Sequence, residues 1–367
     1  MSVLYRTHLS KPFVLAYYLP QYHPFKENDE WWGEGFTEWT NVTKAKPLFR
    51  GHYQPKIPSE LGYYDLRETC VQKAQAEMAR QYGVDGFCYY NYWFSGTELM
   101  GLPLHNMVKD KSIDIPFCIC WANETWYNKF WSKDGSKVKR KLLIEQTYPG
   151  AKDNEKHFYA LLDAFSDERY IKVDGRLLFM IFKPLDMTGL KDFMDQWNSL
   201  ARQNGLPGFY FVGQTIHMSD MEELRSTGLE CVNYFGLWDA WARQNPVAKW
   251  INRIWQIVSG TPRKIRYSKI LRLMTDAGKD EFICPTLLPN WDHTPRSGSK
   301  GSVLTDTTPE MFSKQAGMVF DQVSGKNNRL VFLKSWNEWG EGNYMEPDSR
   351  YGRGYLEALK QEKDKCL

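Results

Sequence analysis

The chain has 367 residues, of which 25% are charged and 42% hydrophobic, with a formal net charge of +3. That size excludes a minimal domain and fits one large α/β barrel or two ordinary domains with a normal core. Lys and Arg are scattered, so the balance gives no argument for nucleic acid.

Phe13–Leu19 reads as a strand ended by Pro20, followed by a long polar and aromatic loop through Trp31–Trp39. Glu68–Tyr82 has helical spacing, with Val71, Ala74, Met78 and Ala79 on one face and Gly83 as its cap. Val84–Phe94 is a second strand. A short helix at Leu104–Lys109 leads to a third, Ile115–Glu124. A charged, hairpin-like insertion around Lys133–Lys141 and a helix over Asn154–Phe165 come next. Arg176–Pro184, Phe209–Gln214 and Cys231–Trp238 are strands four to six, separated by helices over Leu190–Gln203 and Asp220–Ser226. On the first of these helices Phe193, Met194, Trp197 and Leu200 share a side.

Residues 243–278 are basic and poor in strand signals. Trp250, Ile254, Ile257 and Val258 suggest one amphipathic helix, and Tyr267, Ile270, Leu271 and Met274 a second. The Lys/Arg face is read as solvated, with a polyanion or lipid surface as the weaker alternative. Phe282–Pro289 is strand seven. Pro309–Val323 is helical, with Phe312, Ala316, Val319 and Val323 available for burial. The stretch opening at Leu330 is strand eight, and Tyr355–Lys363 is the last helix. Eight strand-then-helix units without an internal break predict an α/β fold: a single (β/α)8 barrel over residues 1–367, with long βα loops and a helical insertion after strand six. A doubly wound sheet would need a Gly-rich phosphate turn after the first strand, and Leu19–His23 contains no glycine.

Seven cysteines, most of them in apolar strands, predict reduced buried thiols in a cytoplasmic chain. No signal peptide and no membrane span is expected from the apolar runs. Aromatics are the outlier, with 15 Trp, 21 Tyr and 20 Phe. In a barrel enzyme the site lies at the carboxyl ends of the strands. Trp31, Trp32, Trp39, Trp93, Trp121, Trp126, Trp131, Trp238, Trp241, Trp291, Trp336 and Trp339 all sort to that end. A carbohydrate groove explains this sorting better than a core does.

Glu34, Glu38, Glu124, Asp292, Glu338, Glu341 and Glu346 sort to the same end. A glycosidase needs one carboxyl held protonated and a second held ionised. Glu338 and Glu341 flank Trp339, whose apolar walls suit that division. Glu124 pairs with either of them or forms a salt bridge under the insertion. Glu346 is read as structural. Asp292 with Arg296 clamps a substrate group or fixes its loop. Lys183 is a Schiff-base candidate, with an ion pair or sugar contact preferred. Ser335 has no Gly-x-Ser-x-Gly elbow. His23, His52, His105 and His293 are scattered and support no metal site.

Ala16–Pro24, Trp31–Val42, Trp121–Glu124, Asn290–Asp292 with Thr294–Arg296, and Trp336–Gly342 together resemble the WbsX-like proteins, relatives of glycoside hydrolase family 99. The resemblance runs over roughly 11–359. It implies a (β/α)8 barrel from bacterial surface-polysaccharide clusters. Such proteins are often labelled glycosyltransferases, although the family 99 relatives are endo-acting α-mannosidases. It implies Glu338 as the base that takes the sugar 2-hydroxyl proton, giving a 1,2-anhydro sugar. It implies Glu341 as the acid that protonates the leaving oxygen and then activates water. No cofactor and no metal is expected. Expected substrate contacts are Tyr18, Trp32, Glu38, Trp39, Tyr90, Trp93, Trp121, Asn123, Glu124, Lys183, Trp238, Trp291, Asp292, Trp336, Asn337 and Trp339. Gly340 stands where the mannosidases commonly have His. His293 replaces a frequent Asn. The loop Thr125–Trp131 also departs from the usual pattern. A retaining hydrolase of an oligo- or polysaccharide is the leading expectation, a glycosyltransferase or transglycosylase the second, and a non-catalytic glycan-binding protein the third.

Overall fold

A computed structural model describes residues 3–4, 11–128, 141–244, 246–275 and 278–366. Eight parallel strands close into a barrel. They are β1 (Phe13–Tyr18), β2 (Gly86–Phe94), β3 (Phe117–Trp121), β4 (Arg176–Ile181), β5 (Phe209–Thr215), β6 (Cys231–Tyr234), β7 (Ile283–Leu287) and β8 (Leu330–Leu333). Each pairs with the next, and β8 returns to β1 with Leu330 opposite Phe13 and Leu333 opposite Ala16. Closure leaves no open edge within the ring and explains why the strands read as unbroken apolar runs.

Helices cover the outside: α1 (Thr69–Gln81), α2 (Leu102–Lys109), α3 (Ala151–Ala160), α4 (Leu190–Gln203), α5 (Met221–Ser226), α6 (Pro246–Ser259), α7 (Tyr267–Thr275), α8 (Pro309–Ser324) and α9 (Gly354–Asp364). On α4, Phe193, Met194, Trp197 and Leu200 are buried as their spacing requires. The helix expected over 154–165 is two, because α3 stops and Leu162–Phe165 forms a separate turn. The insertion around Lys133 lies mostly outside the described residues. Its ends, Trp126–Asn128 and Lys141–Ile144, pair antiparallel.

Two packing choices differ from the expected ones. On α1 the buried face carries Gln72 and Gln75 beside Met78 and Ala79. Gln75 Oε1 accepts from the Tyr18 hydroxyl at 2.6 Å, so a buried polar contact sets this face. Strand alternation sends Tyr17 the other way, into the barrel. There its hydroxyl meets Gln214 at 3.0 Å and Asn233 at 2.8 Å.

The insertion after β6 builds a small core of its own. Tyr267, Ile270, Leu271 and Met274 of α7 pack with Ile265, Leu304 and Trp291. Arg263–Arg266 pairs in parallel with Ser302–Thr305 and ties the insertion to the loop after β7. On α6 the apolar side chains Trp250, Ile254, Ile257 and Val258 point to solvent instead. All seven cysteines are free. Among the described residues no helix is long and apolar enough to cross a membrane.

Candidate functional site

The segment after β8 is held down before it presents any chemistry. Trp336 N donates to Tyr17 O at 2.8 Å. The Asn337 side chain clamps the Leu19 backbone, accepting from its N–H at 2.8 Å and donating to its carbonyl at 3.0 Å. Trp339 stacks on Tyr344 with 3.7 Å between ring centres. Its indole N–H donates to Glu346 at 2.6 Å. Glu346 also accepts from Gln75 and Tyr64, and burial raises its carboxyl to about 7. Neighbouring Trp336, Trp339 and Asn337 are fully buried supports. What the turn shows to the outside is Glu338 and Glu341.

Both carboxylates meet one guanidinium. Arg296 Nη1 lies 2.6 Å from Glu341 Oε1 and 3.4 Å from Glu338 Oε1. Arg296 Nε donates to Glu38 at 3.2 Å. A shared nitrogen at these distances keeps the two oxygens closer than the about 6.5–9.5 Å an inverting pair needs. Ser335 Oγ donates to Glu338 at 3.2 Å, and the Lys334 ammonium stands 3.9 Å away. His293 Nε2 lies 3.6 Å from Glu341.

These surroundings split the pair. Burial pushes the Glu338 carboxyl up, and the charge of Glu341 adds to it. Burial pushes Glu341 up as well, but Arg296 and His293 outweigh it and hold this carboxyl well below its ordinary range. Of the two, Glu338 is thus the carboxyl that holds a proton more readily in the free site. This is the reverse of the division that the resemblance implies.

Glycine makes the arrangement possible at two positions. A Cβ on Gly340 would fall 2.0 Å from Glu38 Oε2 and 3.0 Å from Arg296 Nε. Gly342 has φ +63°, and a Cβ there would fall 2.9 Å from Asp292 N. That close approach lets Asp292 N donate to Glu341 O at 2.7 Å, fixing the turn that carries Glu341.

A groove of about 690 Å³ opens over the pair, lined by Trp32, Tyr90, Tyr92, Trp126, Glu38 and Glu124 among others. A second cavity of about 440 Å³ shares Glu124, Lys334 and Glu341 and is bounded by Lys183, Trp238 and Trp291. Trp32, Glu38, Tyr90, Glu124, Lys183, Trp238 and Trp291 thus reach the cavities with Glu338 and Glu341.

The other expected contacts do not. Tyr18 points outward to α1. Trp39 donates to Tyr64 O under the first loop. Trp93 stacks on His157 at 4.8 Å and donates to Asp153. Trp121 packs on Phe193. Asn123 joins the ends of β3 and β4 through Lys183 N and O. Asp292 does not bind Arg296. It accepts from Gln54 and Thr294, lies 2.8 Å from His52 Nε2, and is held at about 2 against its burial. It belongs to a smaller cavity of about 160 Å³ behind the turn.

Tyr18, Trp93 and Trp121 are taken by packing between strands and the outer helices, and Trp39 by the core under the first loop. Trp131 lies outside the described residues. Lys183 pairs with Glu124 at 2.7 Å, which outweighs its burial and raises the amine. That is the wrong direction for a Schiff-base lysine.

Three contributors escaped the sequence reading of the groove: Tyr92, Lys334 and the Arg296 link to the glutamates. Tyr92 is two residues beyond Tyr90 on one strand face, so period two could have found it. Lys334 stands four residues before Glu338 at the strand end. Arg296 carried no local signal, because its partners are distant in sequence.

The family model described as Glycosyltransferase WbsX matches residues 14–359. The chain is 33% identical over 358 residues to the uncharacterized protein WxcX of Xanthomonas campestris pv. campestris, covering 95% of this chain and 49% of WxcX. It thus spans about half the length of the curated relatives it matches. A solved glycoside hydrolase-like protein superposes with a TM-score of 0.62 at 13% identity, covering 96% of this chain and 94% of that one. A GH99 endo-alpha-mannosidase from Bacteroides thetaiotaomicron gives 0.55 at 14% identity, covering 96% and 97%. At these identities the likeness is one of fold.

Proposed function

The chain belongs to the WbsX family, and on that premise we propose that it is a retaining glycoside hydrolase of bacterial surface oligo- or polysaccharide. The observation that carries the reading is the Glu338–Glu341 pair, held by Arg296 at the open groove of the barrel's carboxyl end. The two carboxyl groups can handle every proton transfer, so the chemistry needs no metal.

In the reaction, Glu338 takes the proton of the sugar 2-hydroxyl. That oxygen attacks the anomeric carbon while Glu341 gives its proton to the departing oxygen. The product of this step is a 1,2-anhydro sugar. Glu341, now ionised, takes a proton from water, the water oxygen opens the ring at the anomeric carbon, and Glu338 returns its proton to the sugar oxygen. Two inversions give net retention.

The free-site charges add a requirement. Arg296 must leave Glu341 when the glycan binds. Losing that cation raises Glu341, which favours its holding the proton, while Lys334 keeps a counter-charge beside Glu338. The incoming sugar hydroxyls are the acceptors that take over the guanidinium.

The test is release of reducing sugar from defined oligosaccharides, with Glu338→Gln and Glu341→Gln each abolishing it. Full activity in Glu341→Gln rejects the assignment of the acid. A covalent sugar trapped on either carboxylate rejects the anhydro route. The family description favours a second reading, in which a sugar hydroxyl replaces water in the second step. Elongated products in place of reducing ends would identify it.

A further inference from the structure

Helix α6 is inverted relative to an ordinary surface helix. Trp250, Ile251, Ile254, Ile257 and Val258 form one stripe at helical spacing, and all face solvent, with Trp250 65% and Val258 76% exposed. Two polar residues of the other side meet the protein. Asn252 Nδ2 donates to Lys264 O at 3.2 Å, and Gln256 Nε2 to Ser299 O at 3.5 Å. A helix meant for water alone would gain by turning its apolar stripe inward.

The charge around the stripe has one sign. From Ala240 to Thr275 the sequence holds eight Lys or Arg and no Asp or Glu, which exceeds the whole chain's net charge of +3. Arg263 lies over the Trp241 ring at 4.4 Å. Burial and the charge of the exposed Arg253 both press on it. Asp306, from the loop after β7, meets this stretch at Tyr267 N and Ser268 Oγ.

We propose that α6 and its basic flank dock in the headgroup layer of an anionic lipid bilayer, with the helix lying in the surface and its apolar stripe inserted. An apolar stripe bordered by cations and free of acids is the chemistry of an interfacial helix. At 14 residues α6 is too short to span. A second copy fits less well, because the contact would bring two eight-cation stretches together. Docking has a consequence for the groove. A cavity of about 390 Å³, walled by Arg263, Trp238 and Lys300, runs from the insertion's Arg263 to Glu341. A glycan presented at the membrane surface would enter there.

The experiment is co-sedimentation of the full chain with vesicles of phosphatidylcholine alone or of phosphatidylcholine with phosphatidylglycerol. The chain pellets with the anionic vesicles only, and added salt weakens it. The Trp250→Ser/Ile254→Ser/Ile257→Ser variant alters only exposed positions. It melts like the parent and loses binding by about tenfold or more. Arg253→Glu, which leaves the stripe intact, also weakens binding. No pelleting that depends on phosphatidylglycerol, or unchanged pelleting in the triple variant, overturns the proposal. A dimer that the triple variant dissolves, without lipid binding, assigns the stripe to a second copy and overturns it too.

Discussion

Arg296 Nη1 donates to Glu341 at 2.6 Å while standing 3.4 Å from Glu338, so one guanidinium bears on both carboxyl groups and holds that of Glu341 down against its burial. Replacing it by Met removes the charge that outweighs burial at Glu341. The pair then takes up its proton at higher pH, and the acidic limb of the kcat/KM profile moves up. Glu341 is a carboxyl lowered on folding. Its contribution to stability is present above the ordinary carboxylate range and is lost as pH falls through the folded value. Arg296→Met should therefore destabilise by about 3–5 kcal/mol near neutrality, as expected for an uncompensated buried charge. The deficit should shrink in acid. Urea denaturation across pH measures both.

Gly340 supplies a separate prediction. Ala there places a methyl against Glu38 and Arg296. Activity should fall while the melting temperature changes little, because Glu38 can swing away from its cation. Glu38→Ala makes room for the methyl, so the double variant should lose less than the two single losses added together. Additive losses would show that the contact is unimportant.

The tryptophans divide into two groups that one assay distinguishes. Trp339 is fully buried under the turn, so Trp339→Ala should cost about 3–5 kcal/mol of stability. Trp238 is a cavity wall. Trp238→Ala should raise KM for oligosaccharides and leave the unfolding midpoint close to the parent's. A Trp339→Ala protein as stable as the parent would return that ring to the groove.

Glu346 carries its own pH signature. Its carboxyl is raised to about 7, so the folded chain binds a proton that the unfolded chain has released. Stability from this group is present below the unfolded pKa and declines as pH rises to about 7, by on the order of 3 kcal/mol. Glu346→Gln keeps the shape and removes the titration. Thermal melts of the variant should be flatter than the parent's between about pH 5 and pH 7.

The barrel was legible because each strand is an apolar run closed by a turn residue and followed by helical spacing. Phe193, Met194, Trp197 and Leu200 declared the buried side of α4 outright. The catalytic candidates were legible because both glutamates sit in one short turn after the last strand. The tryptophan census overcounted, since sorting to the carboxyl end is what core packing and an open groove both produce. Trp93 and Trp121 pack on α3 and α4, while Trp32 and Trp238 line the cavities. Asp292 was paired with Arg296 because they are four apart. The fold gave each a distant partner, His52 for one and Glu38, Glu338 and Glu341 for the other. Contacts across loops leave no period in the chain, so only the closed barrel reveals them.

The insertion core of Ile265, Tyr267, Ile270, Leu271 and Leu304 forms a cluster distinct from the barrel core, and Trp291 belongs to it. One wall of the second cavity is thereby packed on a core separate from that of the eight strands. Amide exchange should find α7 and the Arg263–Arg266 strand releasing their protons together, well before β1 or β8. Substitutions at Leu271 or Ile265, which pack with Trp291, should therefore change KM for oligosaccharides from outside the cavity.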